Sequence, residues 1–193
     1  YYRSEAGATA TLGLTYQANA GEQVTLQTTF VASGTSSINI QVGGDTRTVT
    51  LNNLNVVDAA DAINTQLNGP PSWGTATAVD MGGGQRRIEI TNTSGGDLTI
   101  TNGGGAGDFG LDVANLANGD THTGTLLDYE NDHMVAVGGS DIVAAAAALD
   151  GALAAYNIDF AAADLGGGVR RLQISNNSTG AGGIAGSYNL RVV

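Results

Sequence analysis

One segment of this chain occurs twice. Ala78-Val79-Asp80-Met81-Gly82-Gly83-Gly84-Gln85-Arg86-Arg87-Ile88-Glu89-Ile90-Thr91-Asn92 returns, without a gap, as Ala162-Ala163-Asp164-Leu165-Gly166-Gly167-Gly168-Val169-Arg170-Arg171-Leu172-Gln173-Ile174-Ser175-Asn176. Each copy carries three glycines between apolar-alternating flanks, the pattern of a tight turn joining two strands. A repeated hairpin of this kind points to a chain assembled from modules. It favours a built-up surface or scaffold over an enzyme with one site.

The residues around the repeat extend the unit. Ser37 to Val42 and Arg47 to Leu51 flank Gly43-Gly44-Asp45 and read as a hairpin. Asp58 is expected to cap a helix running to about Leu67, with Ala60, Ile63 and Leu67 on one face, ended by Asn68-Gly69-Pro70-Pro71. In the second copy, a strand near Met134 to Val137 precedes a helix over about Asp141 to Ala155, with its apolar stripe at Ile142, Ala145, Leu149, Leu153 and Tyr156. A strand counterpart to residues 47–51 is not expected there. Ahead of both copies, Ala10 to Tyr16 and Gln23 to Phe30 read as strands around an Asn19-Ala20-Gly21 turn. Residues 102–125 are rich in Gly, Asn and Asp and read as a loop or junction. The expected fold class is α+β, mostly antiparallel β, with two strand–helix–strand–turn–strand units plus N-terminal strands. The expected division is 1–125, holding the N-terminal strands and first repeat, and 126–193, holding the second.

Charge narrows the partners. The net charge is −11, lysine is absent and all seven cations are arginines. Such a surface repels phosphate backbones and anionic membranes, so neither nucleic acid nor membrane is an expected partner. With no cysteine, disulfides and thiol catalysis are excluded. The longest apolar run, Ile142 to Leu149, is too short to cross a bilayer as a helix. Tyr1-Tyr2-Arg3-Ser4-Glu5 does not lead into the apolar stretch of a signal peptide. Without an initiator Met the chain is expected to be an excised or processed piece.

Ile38-Asn39-Ile40 with Val42-Gly43-Gly44, then Ala59-Ala60-Asp61-Ala62-Ile63-Asn64, Gly84 to Ile90, Leu98-Thr99-Ile100 and Phe109-Gly110-Leu111 resemble the "IN" repeat of bacterial flagellins. That motif also occurs in hook-associated and filament-cap proteins. The resemblance covers residues 37–111, and residues 134–184 more loosely, where the Ile-Asn pair and a closing Gly-Leu are missing. It implies a secreted, extracellular outer domain, displayed on the flagellar filament of a motile bacterium. Other flagellin subunits would be its partners, through long terminal helices that this sequence does not contain. It implies no catalytic residue and no cofactor.

The remaining motifs carry less. Gly105-Ala106-Gly107-Asp108-Phe109-Gly110 spells GxGxxG, but a dinucleotide site needs a strand before it and a helix directly after, and Leu111 to Leu116 makes only a weak helix. Asp128, Glu130, Asp132 and His133 offer metal-ligating atoms without calcium-loop spacing, so a solvated loop is the simpler reading and no metal is expected. His122 and His133 lack a nucleophile motif, and no enzyme activity is expected.

Five residues remain as candidates for contact with a partner. Trp73 could stack on a sugar, although a single Trp closing a loop more often plugs a core. Arg86, Arg87, Arg170 and Arg171 could grip an acidic glycan. Alternatively, Asp80 and Asp164, set at equal spacing before each turn, hold them inside the hairpin. Asn92-Thr93-Ser94 and Asn177-Ser178-Thr179 are formal glycosylation acceptors. The reading that follows is a structural display domain of a flagellin. The alternative is a glycan- or host-binding domain of a cap protein or adhesin.

Overall fold

The structure, a computed structural model, describes residues 2–12, 22–104, 108–111, 114–138, 141–180 and 186–193. In chain order the strands before the first helix are β1 (Tyr2–Ser4), β2 (Thr9–Leu12), β3 (Gln23–Ala32), β4 (Ser37–Val42) and β5 (Asp45–Thr50). Helix α1 (Val56–Leu67) is followed by β6 (Gly74–Gly82), β7 (Gln85–Asn92), β8 (Leu98–Gly104), β9 (Ala114–Leu116), β10 (Thr121–Thr123), β11 (Leu127–Asp128) and β12 (Asn131–Ala136). Helix α2 (Ile142–Leu153), β13 (Ile158–Asp164), β14 (Arg170–Asn176) and β15 (Gly186–Val192) complete the chain. The strand pairings whose register is described are antiparallel, and the fold is mostly antiparallel β with two α-helices among the described residues.

Two compact units form, and neither is one continuous stretch. The split unit comprises Tyr1–Thr28, Asn131–Thr179 and Tyr188–Val193, and the central unit comprises Thr29–Glu130 with Gly180–Ser187. This differs from a division at 125/126. The reason is strand pairing between distant segments: β3 pairs with β12 from Thr28↔Asn131 to Gln23↔Ala136, and β2 pairs with β14 from Thr9↔Ser175 to Leu12↔Leu172. Apolar alternation marks a strand but does not say which strand it joins.

In the central unit one sheet has the order β5-β4-β8-β9. In its second sheet β7 is flanked by β6 on one side and by β10 and β11 on the other. Helix α1 packs on β6 and β7. Its N-cap is Asn55, whose Oδ1 accepts from the backbone N–H groups of Val57 and Asp58 at 2.9 and 3.0 Å. Asp58, expected as the cap, lies one turn further in and accepts from Asn55 Nδ2 at 2.7 Å. There its charge faces the positive end of the helix. Val56, Ala59, Ala60, Ile63 and Leu67 are buried, as are Ile38, Ile40, Ile88, Ile90, Leu98 and Ile100 from the strands. Segment 102–125 is not one loop: it carries the end of β8, a 3-10 turn at Asp108–Gly110, β9 and β10.

In the split unit one sheet has the order β12-β3-β15-β1, and the other the order β13-β14-β2. Helix α2 packs on β13, and Asp141 caps it by accepting from Val143 and Ala144 N–H at 3.0 and 2.9 Å. Ala145, Ala146, Leu149 and Leu153 face the core. The helix is followed by a 3-10 turn, Ala154–Tyr156, and stops at Asn157 in the left-handed region, φ 55°. The expected Asn19-Ala20-Gly21 turn and the end of the Ala10 to Tyr16 strand lie outside the described residues.

Candidate functional site

The Gly82–Gly84 hairpin is built by its own sequence. All three glycines have positive φ, of 81°, 63° and 72°, which a side-chain-bearing residue adopts only with strain. Asp80 Oδ1 accepts from Gly82 N–H at 2.8 Å and fixes the entry to the turn. Its other oxygen receives Arg86 Nη2 at 3.2 Å, on the opposite strand. The Arg86 guanidinium also lies 4.9 Å from the Tyr129 ring, and Tyr129 N–H donates to Gly84 O at 2.7 Å. Gln85 Nε2 donates to buried Asp128 at 3.0 Å. Arg87 turns to Glu89 on its own strand at 2.7 Å.

The Gly166–Gly168 hairpin has φ values of 83°, 64° and 80°. Asp164 accepts from Gly166 N–H at 2.8 Å, and Arg170 stands 4.0 Å from Asp164. Arg171 is exposed, with no ion-pair partner among the described residues. Met81 on one hairpin and Leu165 and Val169 on the other are exposed. The four arginines therefore form two intra-hairpin pairs, a same-strand pair and one exposed cation. Arg86 and Arg87 lie in the central unit, and Arg170 and Arg171 in the split unit.

Trp73 is 4% exposed. Its backbone closes the gap between α1 and β6, donating to Leu67 O at 2.8 Å and accepting from Thr93 N–H at 3.0 Å. The Arg47 guanidinium lies 3.6 Å from the ring centroid, and it donates to the carbonyls of Gln66, Gly69 and Pro71 around the end of α1. One face of the indole is thus taken by an arginine held in place by three carbonyls. A sugar ring has no route to that face without moving Arg47.

Two residues whose structural role the sequence did not show stand out in the structure. Asn92 and Asn176, which close the repeated segment, are fully buried. Asn92 Nδ2 donates to Gly96 O and Leu116 O at 2.7 and 2.8 Å, while its Oδ1 accepts from Ser94 N–H at 2.9 Å. Asn176 donates to Tyr188 O at 2.9 Å and accepts from Ser178 N–H at 3.2 Å and Ser178 Oγ at 2.7 Å. In the folded chain Asn92 is thus withdrawn from glycosylation, and Asn177 is exposed. The only sign of this in the sequence was position, since each Asn ends an apolar-alternating strand.

The other candidates disperse. Residues 105–107 of the GxGxxG match lie outside the described residues, and the turn at Asp108–Gly110 is followed by strand β9 instead of a helix. Asp132 accepts from Gln27, and His133 Nε2 meets Thr28 Oγ1 at 3.0 Å, with its ring 5.2 Å from Tyr156. Among the described residues no three His, Cys, Asp or Glu side chains stand close enough to hold a metal ion. His122, on β10, pairs with Ile90 of β7, and its Nε2 is buried with no hydrogen-bond partner among the described residues. The split unit contains an apolar cavity of about 70 Å³ between α2 and the sheets, walled by Leu26, Val137, Leu149, Phe160, Leu172 and Ile174 among others. No polar side chain lines it, so it offers neither an acid nor a base. No described helix is long and apolar enough to cross a membrane. No protein-family model, curated protein or solved structure matches the chain.

Proposed function

We propose that the two units are copies of one module, and that the chain is a display domain: the outer part of a flagellin, carried on the filament and facing the medium. Under this reading β5-β4-β8-β9 corresponds to β12-β3-β15-β1, β6-β7-β10 to β13-β14-β2, and α1 to α2. Val135 and Val137 then stand where Val49 and Leu51 stand, all four buried. The strand counterpart to residues 47–51 is therefore β12, and the strand it pairs with is β3, whose paired residues precede the central unit in the chain. The backbone supports the same alignment. Gly119 N–H donates to Asn92 O at 2.8 Å and Asn92 N–H to Asp120 O at 3.0 Å; Gly7 N–H donates to Asn176 O at 2.6 Å and Asn176 N–H to Ala8 O at 3.0 Å.

The observation that carries the functional reading is where the shared polar residues point. Asp80 and Asp164 cap their own turns, and Asn92 and Asn176 close their own strand ends. The aspartates and asparagines repeated between the copies are used to hold each module together. A duplicated scaffold of this kind offers surface, and its many acidic, Thr- and Asn-bearing positions set hydration and repulsion between neighbours. Trp73, buried under Arg47, no longer supports the glycan-binding alternative.

Immunogold electron microscopy of intact source cells, with antibody against this chain, tests the proposal. Gold along the length of a filament is the expected result. Gold at filament tips alone would move the chain to a cap protein. Label spread over the cell body would sink the filament reading.

A further inference from the structure

The two modules fill the same edge positions from opposite directions along the chain. In the central unit β9 and β10 follow β8 and lie on the outer edges of β8 and β7. In the split unit those places are held by β1 and β2, which come before β3 instead of after β15. Tyr2, Arg3 and Ser4 pair with Val192, Arg191 and Leu190, and Thr9 to Leu12 pair with Ser175 to Leu172. Between them Gly7 N–H and Ala8 O bracket Asn176, and Ala8 N–H donates to Glu5 O at 3.1 Å. The segment therefore supplies one edge strand to each sheet of the split unit. It is recognised through backbone pairing along the edges of β14 and β15, and it joins the rest of its unit through residues 13–21.

Covalent continuity with β15 is not what holds this segment in place, because its counterpart in the central unit enters from the other end. We infer that residues 2–12 are an exchangeable donor segment, and that the β14–β15 edge of one copy accepts the segment of a second copy of this chain. The inference rests on the module correspondence proposed above. Edge-strand addition gives affinity through main-chain hydrogen bonds, and exchange recreates the same contacts between copies. Each copy has one donor and one acceptor, so the contact is head-to-tail and propagates unless it closes on itself. Tethering holds the segment at its own edge at a local concentration on the order of millimolar, so exchange competes when copies are comparably concentrated.

The chain contains no cysteine, which makes the test clean. Thr9 is exposed and stands opposite Ser175. Thr9→Cys and Ser175→Cys copies of this chain, each checked for native circular dichroism, are mixed at micromolar to millimolar concentration and oxidised with glutathione disulfide. Exchange predicts a 9-to-175 cross-linked heterodimer as the dominant product, growing with concentration and suppressed by a synthetic peptide of residues 1–12. Heterodimers and homodimers in statistical proportion, or no suppression by the peptide, would overturn it. Replacing residues 2–12 by residues 114–124 tests the correspondence separately. A chain that keeps its cooperative melt upholds the two modules even if exchange fails, and one that loses it removes the correspondence itself.

Discussion

Asn92 and Asn176 each use both ends of a short amide, donating and accepting, in a place water does not reach. Removing such a side chain takes hydrogen bonds away from the backbone groups around it, Leu116 O and Ser178 N–H among them, at roughly 1–3 kcal/mol for a buried group left without a partner. Asn92→Ala and Asn176→Ala are therefore expected to lose about 2 kcal/mol or more apiece, read as a lower urea midpoint with an unchanged slope. A change within about 0.5 kcal/mol would mean that water replaces the amide. Trp73 gives a second readout at this scale, because it is the one tryptophan. Its emission is expected to be blue-shifted, resistant to iodide quenching and unmoved by added glycans. Arg47→Gln is expected to admit the quencher. Saturable change with a glycan in the unaltered chain would return Trp73 to the list of binding residues. The sequence alone left Trp73 open between plug and platform. The residue that decides it, Arg47, sits on β5, and its approach depends on how β5 lies against the end of α1.

At the scale of elements the turns and helices were legible, and the close approaches between strands were not. The glycine triplets, the Gly43-Gly44 hairpin and both helices could be read because their signals are local: positive φ, alternation and a 3.6-residue stripe. The first helix cap was misread by one turn because Asn55 and Asp58 are both good caps, and only the backbone geometry separates them. Gly74 gave no signal at all. A Cβ there would lie 2.2 Å from Thr91 O on the paired strand β7, whereas a Cβ on Gly83 meets nothing within 4 Å. The two glycines therefore predict different outcomes. Gly83→Ala, at φ 63°, should cost only the strain of a left-handed alanine, about 1–2 kcal/mol. Gly74→Ala must push β6 off β7 and is expected to cost clearly more, seen as a far lower melting temperature or loss of the folded species. Equal melting temperatures for the two variants would contradict the close packing of these strands.

At the scale of the whole molecule, the feature hidden from the sequence is that one unit interrupts the other. Pairing between Thr28 and Asn131 is a long-range event, and alternation within β3 or β12 carries no trace of it. Yet the local chemistry of the other hairpin says how the interruption can be removed. Val42 and Asp45 stand opposite each other and are joined by Gly43-Gly44; Thr28 and Asn131 stand opposite each other in the same antiparallel sense and are joined by the whole of 29–130. Replacing 29–130 by Gly-Gly should therefore close β3 onto β12 as a two-residue hairpin. The loop closed becomes far shorter, and the entropy of closing it falls accordingly. The shortened chain keeps α2, both sheets of the split unit and the Asn176 turn. It is expected to show a mixed strand-and-helix circular dichroism spectrum and one cooperative thermal transition. A non-cooperative melt would mean that the split unit cannot hold itself together without the residues that interrupt it. In that case the two compact units would not be independent folding modules, and the second copy would depend on the first for more than its place in the chain.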